Sequence, residues 1–282
     1  MRLPLAQTAK SIITVSLILS AISQYAPKVV AQTTKPTITK KTAQPSRRTN
    51  SRKKKTSQRP VFVSPKAPRK LTPVSGRRAG MGSRNNCPAV PISLTALAPF
   101  QQQANKRTNK SDIGIVGGIT TLERPKFWFY VPYTKNLANS SAEFSLQDSN
   151  GKDIYRDKIV LPQKPGVVGI SLPNTVTPLE VGKTYRWYFK VKCSQQAVSL
   201  PVYVEGDIQR IALGSRIAEQ LRAATDSQHK IAIYAQEGVW FDALNMLAQL
   251  RKSSQDASVE QDWQSLLQSV NLDNISTAPL VN

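Results

Sequence analysis

No acidic residue precedes Asp112, whereas Lys and Arg recur from Arg2 onward. Residues 1–31 hold 3 basic and 0 acidic groups, residues 32–86 hold 16 and 0, and residues 87–282 hold 20 and 17, which returns the totals of 39 and 17 and the net charge of +22. The last segment is near neutral, at +3. Unopposed cations repel one another and keep a chain extended, so the basic character belongs to a tail rather than to a globule. The length of 282 residues suits about two domains. Only the part after the tail has the composition to bury a core.

Residues 1–31 read as an export signal. Arg2 and Lys10 give a positive start, Ser11 to Ile22 an apolar stretch, and Val29-Val30-Ala31 small residues ahead of Gln32. A stretch of roughly 12 residues is too short for a spanning helix, which needs about 20. An uncleaved N-terminal anchor is the other reading. Both place the body outside the cytoplasm.

Residues 32–86 read as a disordered basic stalk, with Phe62 as their only aromatic residue and Arg47, Arg48, Arg52, Lys53, Lys54 and Lys55 as their densest charge. Such a run attracts an anionic envelope polymer or membrane surface within a Debye length, or it acts as a solvated spacer. Export, and the lack of aromatic residues between the cations, argue against nucleic acid.

The folded region is expected to begin near Cys87. Cys87 and Cys193 are the two cysteines, and an even count in an exported chain suggests a bridge, with two free thiols as the alternative. Residues 87–212 read as short strands. Lys126 to Pro132 is aromatic and β-branched, Ala142 to Gln147 alternates, Asp148 to Gly151 is a hairpin turn, and Ile154 to Leu161 and Gly166 to Leu172 follow. In Thr184 to Cys193, Tyr185, Trp187, Phe189, Val191 and Cys193 share one face, while Arg186, Tyr188, Lys190 and Lys192 share the other. Val202 to Ile211 closes a set of about seven strands, which argues for an immunoglobulin-like antiparallel β-sandwich. Leu179 to Tyr185 fits the corner of such sandwiches, where a tyrosine hydroxyl ties back to nearby backbone. Trp128 and Tyr130 alternate with Phe127 and Phe129, so one pair is expected to face away from the core. Trp128 and Tyr130, if exposed, would stack on a sugar ring or receive a partner.

Residues 213–275 change to a helical period and read as a short C-terminal helical cap, with 276–282 as a tail. Ile217, Leu221 and Ala224 form one stripe, Ile231, Tyr234 and Ala235 another, and Gly238 breaks the chain before Trp240, Leu244, Leu247 and Ala248. Tyr234 to Leu244 resembles a single tetratricopeptide unit. Val259, Trp263, Leu266, Leu267 and Val270 form a third run, opened by Ser258 with Gln261 in capping-box spacing.

Cys87-Pro88, Thr95 to Pro99, Arg124 to Tyr133, Ala142 to Asp148, Leu179 to Lys183, Tyr185 to Val191 and Asp262 to Gln268 together resemble the cyanobacterial family catalogued as domain of unknown function 928. The resemblance covers nearly all of residues 87–282. It implies an exported cyanobacterial protein and supplies no site residues. The polar stretch Gln101 to Asp112 departs from the family pattern as a loop insert.

The sequence carries little reactive chemistry. His229 is the only histidine, which excludes a metal site built from several histidines and gives no hint of a His-based triad. Gly114 to Gly118 lacks the Lys-Ser or Lys-Thr of a phosphate loop, and no cofactor motif is present. Glu205 and Asp207 lie two apart on an expected strand and would share a face, as a glycoside-hydrolysing pair could, or they are solvated acids near a bulge at Gly206. Two classes remain. One is a non-catalytic envelope protein that binds a protein or glycan partner; the other is a carboxylate-dependent hydrolase acting on envelope polysaccharide.

Overall fold

The computed structural model describes residues 59–65, 76–80, 87–102, 114–194 and 199–281. The signal segment 1–31, the run from Arg47 through Lys55 and most of the Gln101 to Asp112 insert lie outside the described residues. The described strands are β1 (Thr95–Ala96), β2 (Phe100–Gln102), β3 (Gly114–Thr120), β4 (Lys126–Val131), β5 (Ser141–Gln147), β6 (Asp153–Ile159), β7 (Gly166–Ser171), β8 (Thr184–Lys192) and β9 (Val202–Arg210). Helices α1 (Ser215–Ala223), α2 (Ser227–Gln236), α3 (Trp240–Ser253) and α4 (Ala257–Gln268) follow, then a 3-10 turn at Asp273–Ile275. Among the described residues no helix is long and apolar enough to cross a membrane.

The strands form a six-stranded sheet in the order β2-β3-β9-β8-β5-β6 and a three-stranded sheet in the order β1-β4-β7. β8 alternates as its sequence requires, with Tyr185, Trp187, Phe189 and Val191 buried. The Tyr185 hydroxyl accepts a hydrogen bond from the Glu180 N–H at 2.9 Å, which closes the expected corner. Phe127 and Phe129 of β4 cross the gap between the sheets. Phe127 meets Phe144 at 4.9 Å, and Phe129 meets Phe189 at 4.7 Å and Trp187 at 5.6 Å. Tilted contacts of this kind add about 0.5–1.5 kcal/mol each beyond the area they bury.

The expectation of a purely antiparallel strand set is corrected at one pairing: β3 runs parallel to β9. β9 shares that edge between two neighbours, since Glu205 is bridged in antiparallel fashion by Arg77 while Asp207 to Arg210 pair with β3. The changeover needs close backbone approach. A Cβ on Gly206 would sit 2.6 Å from the Val116 carbonyl oxygen, and one on Gly117 would sit 2.1 Å from that of Asp207.

The expectation that one aromatic pair of β4 faces away from the core is also corrected. Trp128 is 3% exposed and Tyr130 9%. β4 is the central strand of its sheet and is covered on both faces, so its side chains form a continuous apolar run. Trp128 lies against Gly169 of β7, where a Cβ would come within 2.7 Å of its ring, and the Lys126 and Lys252 ammonium groups sit 4.9 and 5.9 Å from its centroid. Neither Trp128 nor Tyr130 offers a face to a sugar.

Two segments expected to lie outside the globule belong to it. Within residues 32–86, Phe62 is buried edge-on against Trp240 with ring centroids 5.1 Å apart, and the Arg77 N–H donates to the Glu205 carbonyl at 2.9 Å. The cationic average of that segment hides two short stretches that borrow a core built elsewhere. At the other end, the 276–282 tail pairs with β7: the Val167 N–H donates to Pro279 and the Val281 N–H donates to Val167, at 2.8 and 2.9 Å.

The helices follow the expected stripes with two differences. α1 buries none of its residues fully, and α4 is capped by Asp256, whose carboxylate accepts from the Ser258 N–H at 2.8 Å, rather than by Ser258. An Asp two residues earlier reaches the free N–H groups first. α2 and α3 turn at Gly238, whose φ of +73° a side chain would strain. The Trp240 indole donates to the Leu97 carbonyl at 2.9 Å, and the buried Asp242 carboxylate accepts from the hydroxyls of Thr120 and Thr121. These bonds fix the start of α3 to the end of β3 and to the residue after β1.

Cys87 and Cys193 are bridged across 106 residues, with Cα atoms 5.0 Å apart, tying the entry of the fold to the end of β8. Closing so long a loop restricts the unfolded chain. Replacing both cysteines by serine is expected to lower the unfolding free energy by about 2–5 kcal/mol. Urea unfolding of the variant checks this, and an unchanged midpoint contradicts it.

Candidate binding face on the six-stranded sheet

The outer face of β8 and β9 carries a connected polar arrangement. Cross-strand register places Arg186 opposite Asp207, Tyr188 opposite Glu205 and Lys190 opposite Tyr203. Opposed side chains on one face of an antiparallel pair are close enough to interact. The Arg186 guanidinium donates to Glu205 at 2.8 Å and to Asp207 at 3.5 Å, and its Nε donates to the Tyr188 hydroxyl at 2.9 Å. All three charged side chains are largely enclosed, at 18%, 18% and 21% exposure.

Cations border both tyrosine rings. The Lys190 ammonium lies 5.3 Å and the Arg186 guanidinium 5.5 Å from the Tyr188 centroid, and Arg77 lies 4.6 Å from that of Tyr203. Such contacts are worth about 0.5–1 kcal/mol each at exposed sites and hold long side chains in place.

The two acids are not equivalent. Burial pushes the Asp207 carboxyl up from 3.8 to about 6; the Arg186 charge works against this, and the Glu205 charge adds to it. Burial works against the charged Arg186 guanidinium, but its hydrogen bond to Glu205 and the charges of both acids raise its pKa. Arg186 makes its shorter bond to Glu205, which leaves Asp207 the weaker partner.

β9 thus brings Glu205 and Asp207 onto one face, as their spacing implies, but both converge on a single guanidinium instead of opposing each other across a cleft. A cavity of about 570 Å³ opens elsewhere, lined by Arg251, Lys252, Ser254, Asp256 and Glu260 among others, and neither Glu205 nor Asp207 lines it. There Arg251 is spent on Glu260, with bonds of 2.6 and 3.0 Å. His229 is exposed near the start of α2, where its N–H donates to Asp226 at 2.7 Å.

Arg186, Tyr188, Tyr203 and Arg77 are the members of this face that sequence reasoning did not single out. The period of β8 identifies Arg186 and Tyr188 as outward, but their union with Glu205 and Asp207 depends on cross-strand register. Arg77 carries no local signal.

Between about pH 4 and pH 6 the folded chain keeps the Asp207 proton that the unfolded chain has released, so this group's contribution to stability falls as pH rises through that window. Asp207→Asn removes the effect. The wild type is expected to lose about 2 kcal/mol more unfolding free energy than the variant between pH 4 and pH 7, measured by urea unfolding at each pH. Parallel pH profiles contradict this.

No curated protein matches the chain. The family described as Domain of Unknown Function (DUF928) matches residues 79–280, which include every described strand and helix and, of the outer face, all but Arg77. The chain belongs to the DUF928 family, the one that its Cys-Pro entry, aromatic strand and glycine corner resemble.

Proposed function

We propose that this is a non-catalytic, exported envelope protein that uses the outer face of the six-stranded sheet to hold a glycan or protein partner, while its basic stalk keeps it near an anionic surface. The observation that carries the reading is the convergence of Glu205 and Asp207 on Arg186. A carboxylate pair bridged by one guanidinium and bordered by cation-stacked tyrosines is built to be held still, and rigid aromatic and Arg groups are what recognition faces use. The N-terminal leader and the Cys87–Cys193 bridge support export, since disulfides persist in oxidising compartments. The Tyr185 corner and the two facing sheets favour an immunoglobulin-type sandwich for the β-region. The sequence motifs favour a cyanobacterial source.

A carboxylate-dependent hydrolase acting on envelope polysaccharide is the second reading. The raised Asp207 carboxyl favours it, because an acid that titrates near 6 can hold a proton to donate at neutral pH. Under that reading, Asp207→Asn abolishes release of reducing ends from purified envelope polysaccharide. If the wild type releases none, the reading fails.

Retention on isolated cell-wall sacculi tests the proposal. Tyr188→Ala combined with Tyr203→Ala is expected to weaken binding about tenfold at both about 20 and about 200 mM salt, the signature of shape-driven contact. Deleting residues 32–58, which leaves the packed 59–65 segment in place, is expected to release the protein at the lower salt only. Undiminished binding by the tyrosine variant contradicts the face, and undiminished retention after the deletion contradicts the tether.

A further inference from the structure

Residues 59–65 lie in a groove of the helical region without joining either sheet. Pro60 and Phe62 point inward, while Val61 and Val63 are 50% and 52% exposed. The inward Phe62 stands edge-on against Trp240 of α3. Three polar residues, one helical turn apart along α4 and its C-cap, read the segment. Gln261 accepts from the Arg59 guanidinium at 2.8 Å, Ser265 donates to the Pro60 carbonyl at 3.1 Å, and Ser269 accepts from the Phe62 N–H at 3.0 Å. On the opposite side, the Val63 N–H donates to the Ala235 carbonyl at the end of α2, at 3.0 Å. Pro65 closes over Gly238, where a Cβ would come within 2.7 Å of the proline ring.

Most of these bonds go to main-chain atoms, which any extended segment presents. Side-chain selection rests on one aromatic pocket and on room for proline at the two ends. That division, backbone bonds for affinity and pockets for specificity, is how grooves recognise extended peptides.

We propose that the groove between α2, α3 and α4 is a peptide-recognition site for an extended Pro-x-Phe segment of a partner protein, and that residues 59–65 occupy it as a competing resident ligand. The occupant is specified by what is seated there: an aromatic residue two positions after a proline, with exposed residues between and beyond. The site shares no residue with the outer face of the six-stranded sheet and stands or falls separately from it. A ligand held in cis lowers the apparent affinity of any competitor by the fraction of time the groove is free.

Fluorescence anisotropy with a labelled peptide of sequence Arg-Pro-Val-Phe-Val-Ser-Pro tests this on the full chain. Phe62→Ala is expected to bind the peptide at least tenfold more tightly than the wild type, and neither protein is expected to bind the same peptide with its Phe replaced by Ala. Equal binding of the two peptides, or no binding to the variant, overturns the proposal. A wild-type dimer that free peptide does not dissolve puts the segment of a second copy in the groove and also overturns it. Should Phe62→Ala fail to fold, hydrogen exchange on the wild type decides. Amides of Phe62 and Val63 are expected to exchange at least a hundredfold faster than those of Trp187 and Phe189, because the segment leaves while the core stays folded. Equal rates overturn the proposal.

Discussion

The aromatic seam between the two sheets is the contact on which everything else depends. Phe127 and Phe129 reach from β4 into the rings of Phe144, Trp187 and Phe189, and all five are buried. Burial of large rings is the main favourable term in joining two such sheets, and it fixes which face of β8 points inward. With Trp187 and Phe189 committed to the seam and Tyr185 buried on the same side of the strand, Arg186, Tyr188 and Lys190 have no alternative but the outer face. The candidate site is thus a consequence of the core.

The helical region is attached to the sheets at points that leave little freedom. Trp240 bonds to Leu97, and Asp242 binds both Thr120 and Thr121. A buried carboxylate is tolerated only when hydrogen-bonded, and here burial still pushes its pKa up. Trp240 also receives Phe62 from the N-terminal side, so one indole holds together a strand connection, a helix and a segment of otherwise cationic chain.

Sequence patterns disclosed the elements whose causes are local. β8 alternates with period two, the Tyr185 corner is spelled by its neighbours, and the α2–α3 turn is marked by Gly238. What the patterns could not disclose comes from distant residues. The aromatic run of β4 is the same whether one face or both are covered, and on the second Trp128 lies over the side-chain-free Gly169 of β7 with the Lys126 and Lys252 ammonium groups beside its ring. The parallel β3–β9 pair joins residues as far apart in sequence as Gly117 and Asp207, which no local pattern links. Phe62 lacked enough apolar neighbours to suggest burial, because the groove that takes it is made by residues more than 170 positions later. Glu205 and Asp207 were visible as a pair, but Arg186, which determines what the pair can do, joins them only through strand register.

The central claim is that the outer face of β8 and β9 is the recognition surface. Amide chemical-shift mapping of the isotope-labelled protein, titrated with soluble fragments of cell-wall polymer, tests it most directly. Shifts are expected to cluster at Arg186, Tyr188, Lys190, Tyr203 and Glu205. Shifts confined to the Arg251 to Glu260 cavity, or spread evenly over exposed lysines, would contradict the claim.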